Sequence, residues 1–190
     1  ATANLTGGLV VNDFATVKNK TGATINAGAV TVDTFGVINN YEGATLAYAS
    51  VDADGIVRNL GTLNVTGTYA IGDEGETTFA GDTKVGTLSI GRTAKTMLMA
   101  RDGQEAVLHN TGKTYADELD LVSGQVMVEK DSILAGKSLK NGAVGSDIIV
   151  SAGGTFGFSH DKSSLENALK NYTGSKADKA ILALSTDLHF

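Results

Sequence analysis

Apolar and polar residues alternate in short bursts along this chain, and the bursts recur. Val17, Asn19, Gly22, Thr24 and Ile25 return as Val37, Asn39, Gly43, Thr45 and Leu46, and again as Val57, Asn59, Gly61, Thr62 and Leu63. Val17, Val37 and Val57 lie 20 residues apart, as do Asn19, Asn39 and Asn59. A fixed period in the range of roughly twenty to fifty residues marks a stacked repeat architecture. Alternation within each copy puts the Val and the Asn on one strand face. The following Gly permits a positive φ at the corner before the next strand, which starts near Ala23 or Ala44. Later copies are weaker. Leu108, Asn110, Gly112, Thr114 and Tyr115 keep the phrase with one substitution, and Gly86-Thr87-Leu88-Ser89-Ile90 reads as Gly61-Thr62-Leu63-Asn64-Val65 without its upstream half. The acidic, Gly-rich stretch from Ile71 to Asp82 reads as turns. Further strands are expected at Thr96–Ala100, Gln125–Glu129 and Asp147–Ser151, after which Gly153 to Phe158 breaks the pattern. Ser163 to Glu166 has capping-box spacing, and Leu165, Ala168, Leu169 and Tyr172 continue a helical stripe that stops near Gly174. Residues 179–190 return to strand character.

These elements predict an all-β protein: a right-handed parallel β-helix with a short C-terminal helix, the hand following from the preference of parallel crossovers. Residues 1–160 make a β-helix of about eight coils, a rod roughly 40 Å long at the parallel strand spacing. Residues 161–190 make a helix-plus-strand cap or insertion. Stacking would place Val17, Val37 and Val57 in an internal aliphatic ladder and Asn19, Asn39 and Asn59 in an amide ladder that satisfies corner backbone groups. On that basis Asn39→Leu should destabilise the fold. A β-sandwich or jelly roll also explains strand richness with regular turns, but does not require the same residue types at a fixed period.

Composition narrows the chemistry. With no Cys, a disulfide framework and thiolate metal sites are excluded. The absence of Pro and Trp and the 24 Gly suit short strands joined by tight turns. The net charge of −6 and pI near 5.0, with no basic patch, argue against nucleic acid and anionic membranes as partners. No apolar run is long enough for a membrane helix, and no signal peptide is visible. The start at Ala1 reads as a processed form or an excised fragment.

The phrases Gly36 to Leu46, Gly55 to Val65 and Val107 to Tyr115 resemble the passenger domains of Gram-negative autotransporters and related bacterial surface adhesins. The likeness spans about residues 10 to 125 and is best over 16 to 67. In that family such coils build a right-handed β-helix. The resemblance implies export, display on the bacterial outer-membrane surface or in the extracellular space, and adhesion or self-association. The segment 163–190 has no counterpart in it, and no translocator barrel is present.

Candidate chemistry is sparse. Asp52-Ala53-Asp54-Gly55 has the look of an incomplete calcium loop, but its carboxylates stop at Gly55, so a solvated turn is the expectation. Asp117, Glu118 and Asp120 form the densest acidic cluster. Glu118 and Asp120 share a strand face, as a glycosidase pair would, although a chain without Trp offers few stacking platforms for sugar. His109, His160 and His189 are isolated from one another, and the Asn-x-Ser/Thr sequons at Asn4, Asn19, Asn64 and Asn171 follow from Asn and Thr richness. No catalytic, cofactor-binding or metal-ligating residue is assigned, and no cofactor is expected. The expected function is a secreted or cell-surface structural and adhesive module. Its expected partners are its own copies or a host or matrix surface ligand, with no nucleic acid and no membrane insertion of this segment. The alternatives are a polysaccharide-acting enzyme and a phage tail or carbohydrate-binding module that trimerises.

Overall fold

The computed structural model describes residues 1–91, 105–141, 146–158, 163 and 181–184. The helix expected from Ser163 to Gly174, beyond Ser163 itself, and the strand expected at Thr96–Ala100 lie outside them.

The chain is a parallel β-solenoid. Short strands β3 (Thr16–Asn19), β5 (Val37–Asn40), β7 (Ile56–Asn59), β9 (Glu76–Phe79), β11 (Val107–Asn110), β13 (Gly124–Val128) and β15 (Ser146–Val150) stack in order as one seven-stranded sheet, sheet B. Each is followed by a strand of the ten-stranded sheet A, longer than its predecessor in all but the last: β4 (Thr24–Val32), β6 (Thr45–Ala53), β8 (Thr62–Ile71), β10 (Asp82–Ile90), β12 (Lys113–Leu121), β14 (Ile133–Asn141) and β16 (Thr155–Phe158). β1 (Thr2–Leu5) and β2 (Leu9–Val11) both pair with β4, and β17 (Ile181–Leu184) pairs with β16. Consecutive strands pair in parallel throughout, so every turn lies on the one before it.

The long strands bend. In β6 the buried residues are Leu46 and Tyr48, then Val51 and Ala53. The inward set therefore changes parity between Tyr48 and Val51, where the pairing register with β8 also shifts. β10 repeats this with Thr83 and Val85, then Leu88 and Ile90, while β8 keeps its parity and instead breaks the alternation with three exposed residues, Thr66, Gly67 and Thr68, between Leu63 and Val65 and Tyr69 and Ile71. Side chains alternate strictly along a straight strand, so a parity change marks a corner. Sheet A thus covers two sides of the coil and sheet B the third. Ile38, Val57, Leu108, Val126 and Val128 from sheet B meet Leu46, Leu63, Leu88, Leu119 and Leu134 from sheet A in one continuous core.

The internal ladders run one residue away from the expected register in the second coil. β3 pairs Val17 with Ile38 and Asn19 with Asn40, and β5 pairs Ile38 with Val57 and Asn40 with Asn59. Ile38 and Asn40 are fully buried, whereas Val37 and Asn39 are half-buried on the outer face. The first coil spans 21 residues and the second 19, so their sum hides the slip. A one-residue shift moves a whole strand to the other face. Three segments also need correction. The stretch from Ile71 to Asp82, read as turns, contains strand β9, and Thr155–Phe158 continues sheet A as β16. Leu88 pairs with Tyr69, so Gly86-Thr87-Leu88 belongs to the second leg of the long strand, while Asp82 and Thr83 are the partners of Thr62 and Leu63.

The amide ladder is directional. Asn19 Nδ2 donates to Asn40 Oδ1 at 2.9 Å, and Asn40 Nδ2 donates to Asn59 Oδ1 at 2.6 Å. The same nitrogens reach the backbone carbonyls of Thr45 and Thr62 at 2.8 and 3.0 Å, tying the corner to the next turn. Phe79 takes the Asn position in the fourth coil. Asn59 Nδ2 there turns to Thr83 Oγ1 at 3.0 Å. Asn110 resumes the role in the fifth, donating to the Ile133 carbonyl and accepting from the Thr114 hydroxyl.

Candidate functional site

Three surface features follow from this stacking. The turns leaving sheet B differ in length. Four residues separate Asn19 from Thr24 and Asn40 from Thr45, but only two separate Asn59 from Thr62, Phe79 from Asp82 and Asn110 from Lys113. The longer turns need a left-handed residue three positions after the strand end. Gly22, Gly43 and Gly153 supply it at φ 75°, 72° and 83°, and Asp131 does so at 62°. Between them the three short turns leave a shallow polar groove of about 400 Å³ floored by Gly61, Gly81 and Gly112, with Asp82, Lys113 and Asp131 beside it. A Cβ on Gly61 would strike the Ala44 carbonyl, so these glycines are explained by coil-to-coil approach.

A second groove, of about 450 Å³, crosses the outer face of sheet B. Glu76, Val107 and Gln125 are register partners on successive strands, with His109 and Met127 partners two residues further along. Glu74 and Glu105 complete the lining. These residues come from three coils with unequal spacing, so no motif announces them. The signal that could have found them is the outward half of each strand, read once the buried half has fixed the register.

The third feature is a stack of acidic turns on the opposite edge of sheet B. Burial, then Glu74, Asp73 and Asp33, push the Asp54 carboxyl above its ordinary range. Asp54 is the second carboxylate of the Asp52-Ala53-Asp54-Gly55 motif. Asp52 lies on the outer face of β6, Ala53 is buried between the two, and Asp54 sits in the turn, so the motif is split between a sheet and a corner. Among the described residues no group of three or more His, Asp or Glu is arranged to hold a metal ion.

The cluster Asp117, Glu118 and Asp120 lies on β12. Asp117 sits at the corner of the long strand and forms an ion pair with Lys137. Glu118 and Asp120 share a face of the second leg, as alternation suggested, with Glu118 half-buried and Asp120 buried, and Lys140 reaches Asp120 at 3.4 Å. Lysines from the next turn thus neutralise two of the three carboxylates. His109 stands in the sheet B groove, and His160 and His189 lie outside the described residues. Asn19, in one of the sequons, is buried in the amide ladder. Among the described residues no helix is long and apolar enough to cross a membrane.

Fold and surface define a class, the parallel β-solenoid built of coils near twenty residues. No protein-family model, no curated protein and no solved structure matches this chain.

Proposed function

We propose that this chain is a structural and adhesive rod, displayed on a cell surface or secreted, that works by contact with a matrix, another cell or its own copies. The observation that carries the reading is the repetition of the same outward side chain, in register, over the first turns of the stack. Thr2, Thr24, Thr45 and Thr62 form one such row on sheet A. A weak contact made by one turn is then offered again by the next, and linked weak contacts multiply into avidity. The solenoid scaffold supports this because each coil rests on its neighbours and tolerates substitution on its outer faces.

The test is small-angle scattering and sedimentation over a concentration series. An elongated particle whose mass rises with concentration supports the reading. A compact particle of constant mass overturns the self-associating form of it. Release of oligosaccharides from a panel of surface polysaccharides, lost on Glu118→Gln, would replace it with an enzymatic function.

A further inference from the structure

The outer face of sheet B sets apolar residues among polar ones such as Lys18, Asn39, Arg58, Glu76, Thr78 and Gln125. Val37 stands beside buried Ile38, Ile56 beside Val57, Val107 beside Leu108, and Met127 beside Val126. At the far end Ile149 is 48% exposed. The first outward row of sheet A over comparable turns is Thr24, Thr45, Thr62, Asp82 and Lys113.

Charge on this face is segregated along the stack. Lys18 and Arg58 face outward from β3 and β7, while Glu74, Glu76 and Glu105 line the groove around Val107 further along. Neither Arg58 nor Glu76 forms an ion pair among the described residues. The basic end of one copy therefore complements the acidic middle of another.

We infer that the outer face of sheet B is a self-complementary docking surface for a second copy of this chain, packed face to face with its stack reversed. This rests on the self-association proposed above and names its surface. A two-fold axis along the strand direction, midway between β7 and β9, brings β7 over β9, β5 over β11 and β3 over β13. Strand direction is kept, so Val37 meets Val107 of the other copy and Ile56 meets its Glu76, with Arg58 two residues further along β7 and diagonal to that carboxylate. By symmetry each contact is made twice. Six strands at about 4.8 Å and four residues of about 3.3 Å give about 400 Å² per partner. That is about half of what a stable pair buries, so the complex is weak and forms at high concentration or high local density.

Sedimentation equilibrium tests this on the whole chain with Arg58→Glu, Glu76→Arg, the double variant Arg58→Glu/Glu76→Arg, and Val37→Lys, each checked for an unchanged melting midpoint. Both single charge reversals and Val37→Lys should weaken association about tenfold or more, and the double reversal should restore it. Wild-type association that none of these variants moves would overturn the proposed face while leaving self-association standing. A wild-type chain that stays monomeric at every concentration would overturn both.

Discussion

Replacing Asn40 should cost far more than replacing Asn39, although the two are adjacent and identical. Asn40 is fully buried. Its Nδ2 serves Asn59 Oδ1 at 2.6 Å and the Thr62 carbonyl at 3.0 Å, and its Oδ1 accepts from Asn19 at 2.9 Å. Asn40→Leu takes the side-chain donor away from two acceptors at the corner, at about 1–3 kcal/mol each where the group is left buried and unpaired. The added apolar burial returns part of this, about 1.5–3 kcal/mol if the leucine packs fully. The net loss should be about 2 kcal/mol. For a chain of this length that lowers the melting midpoint by about 4–8 °C. Asn39→Leu changes an outward position and should stay within about 0.5 kcal/mol. Urea midpoints compared at constant slope give both values. Equal losses from the two variants, or a larger one from Asn39→Leu, would refute the register and the ladder that depends on it.

Other outcomes follow from individual positions. The Tyr48 hydroxyl is buried with no hydrogen-bond partner among the described residues, and burial pushes its pKa up. Tyr48→Phe should therefore leave the urea midpoint unchanged or raise it, by up to about 1–3 kcal/mol if the hydroxyl is uncompensated. At Gly43, φ is 72° and Asp131 holds the equivalent place in a later turn, so urea midpoints should fall in the order Gly43, Gly43→Asn, Gly43→Val, with about 1–2 kcal/mol lost in the last. Asp54 has a folded pKa above its unfolded one, so the native state binds the proton more tightly. Stability then falls as pH rises from the unfolded pKa through the folded pKa, and Asp54→Asn should flatten that part of the curve when unfolding is followed from acid to neutral pH.

The fold was legible because stacked coils repeat their requirements. A buried aliphatic, a corner Asn, a turn and a Thr-led strand recur, and period-two alternation separates the faces. Register was not legible from the mean period. Val37-Ile38 and Asn39-Asn40 are doublets, so either member fits the phrase. Turn length decides between them: Gly22-Ala23-Thr24 and Gly43-Ala44-Thr45 are 21 apart, and counting back from them selects Ile38 and Asn40. Strand β9 was hidden because Glu76-Thr77-Thr78-Phe79 places Thr and Phe where its neighbours place an aliphatic and Asn. The sheet B groove was hidden for a different reason. Its members belong to three coils, and the longer connection between β10 and β11 removes any constant spacing between them.

That fourth coil shows how a solenoid absorbs an exception. Phe79 fills the Asn position and packs edge-on against Tyr69, ring centroids 5.2 Å apart. Tyr69 is buried where Val51 and Leu88 stand in adjacent turns, and its hydroxyl meets Thr77 Oγ1 at 3.1 Å. Thr77 in turn occupies the row of Val57 and Leu108. The tyrosine and the threonine are each unsuitable alone and suitable together. A double-mutant cycle makes this quantitative. Tyr69→Phe leaves a buried threonine hydroxyl unpaired, and Thr77→Val leaves a buried tyrosine hydroxyl unpaired, at about 1–3 kcal/mol each. The double variant removes both hydroxyls and should cost less than the sum of the two, with a coupling energy of about 1–3 kcal/mol. Additive losses in urea unfolding would mean that the hydroxyl pair contributes nothing, and that shape alone selected Tyr69 and Phe79 for this turn.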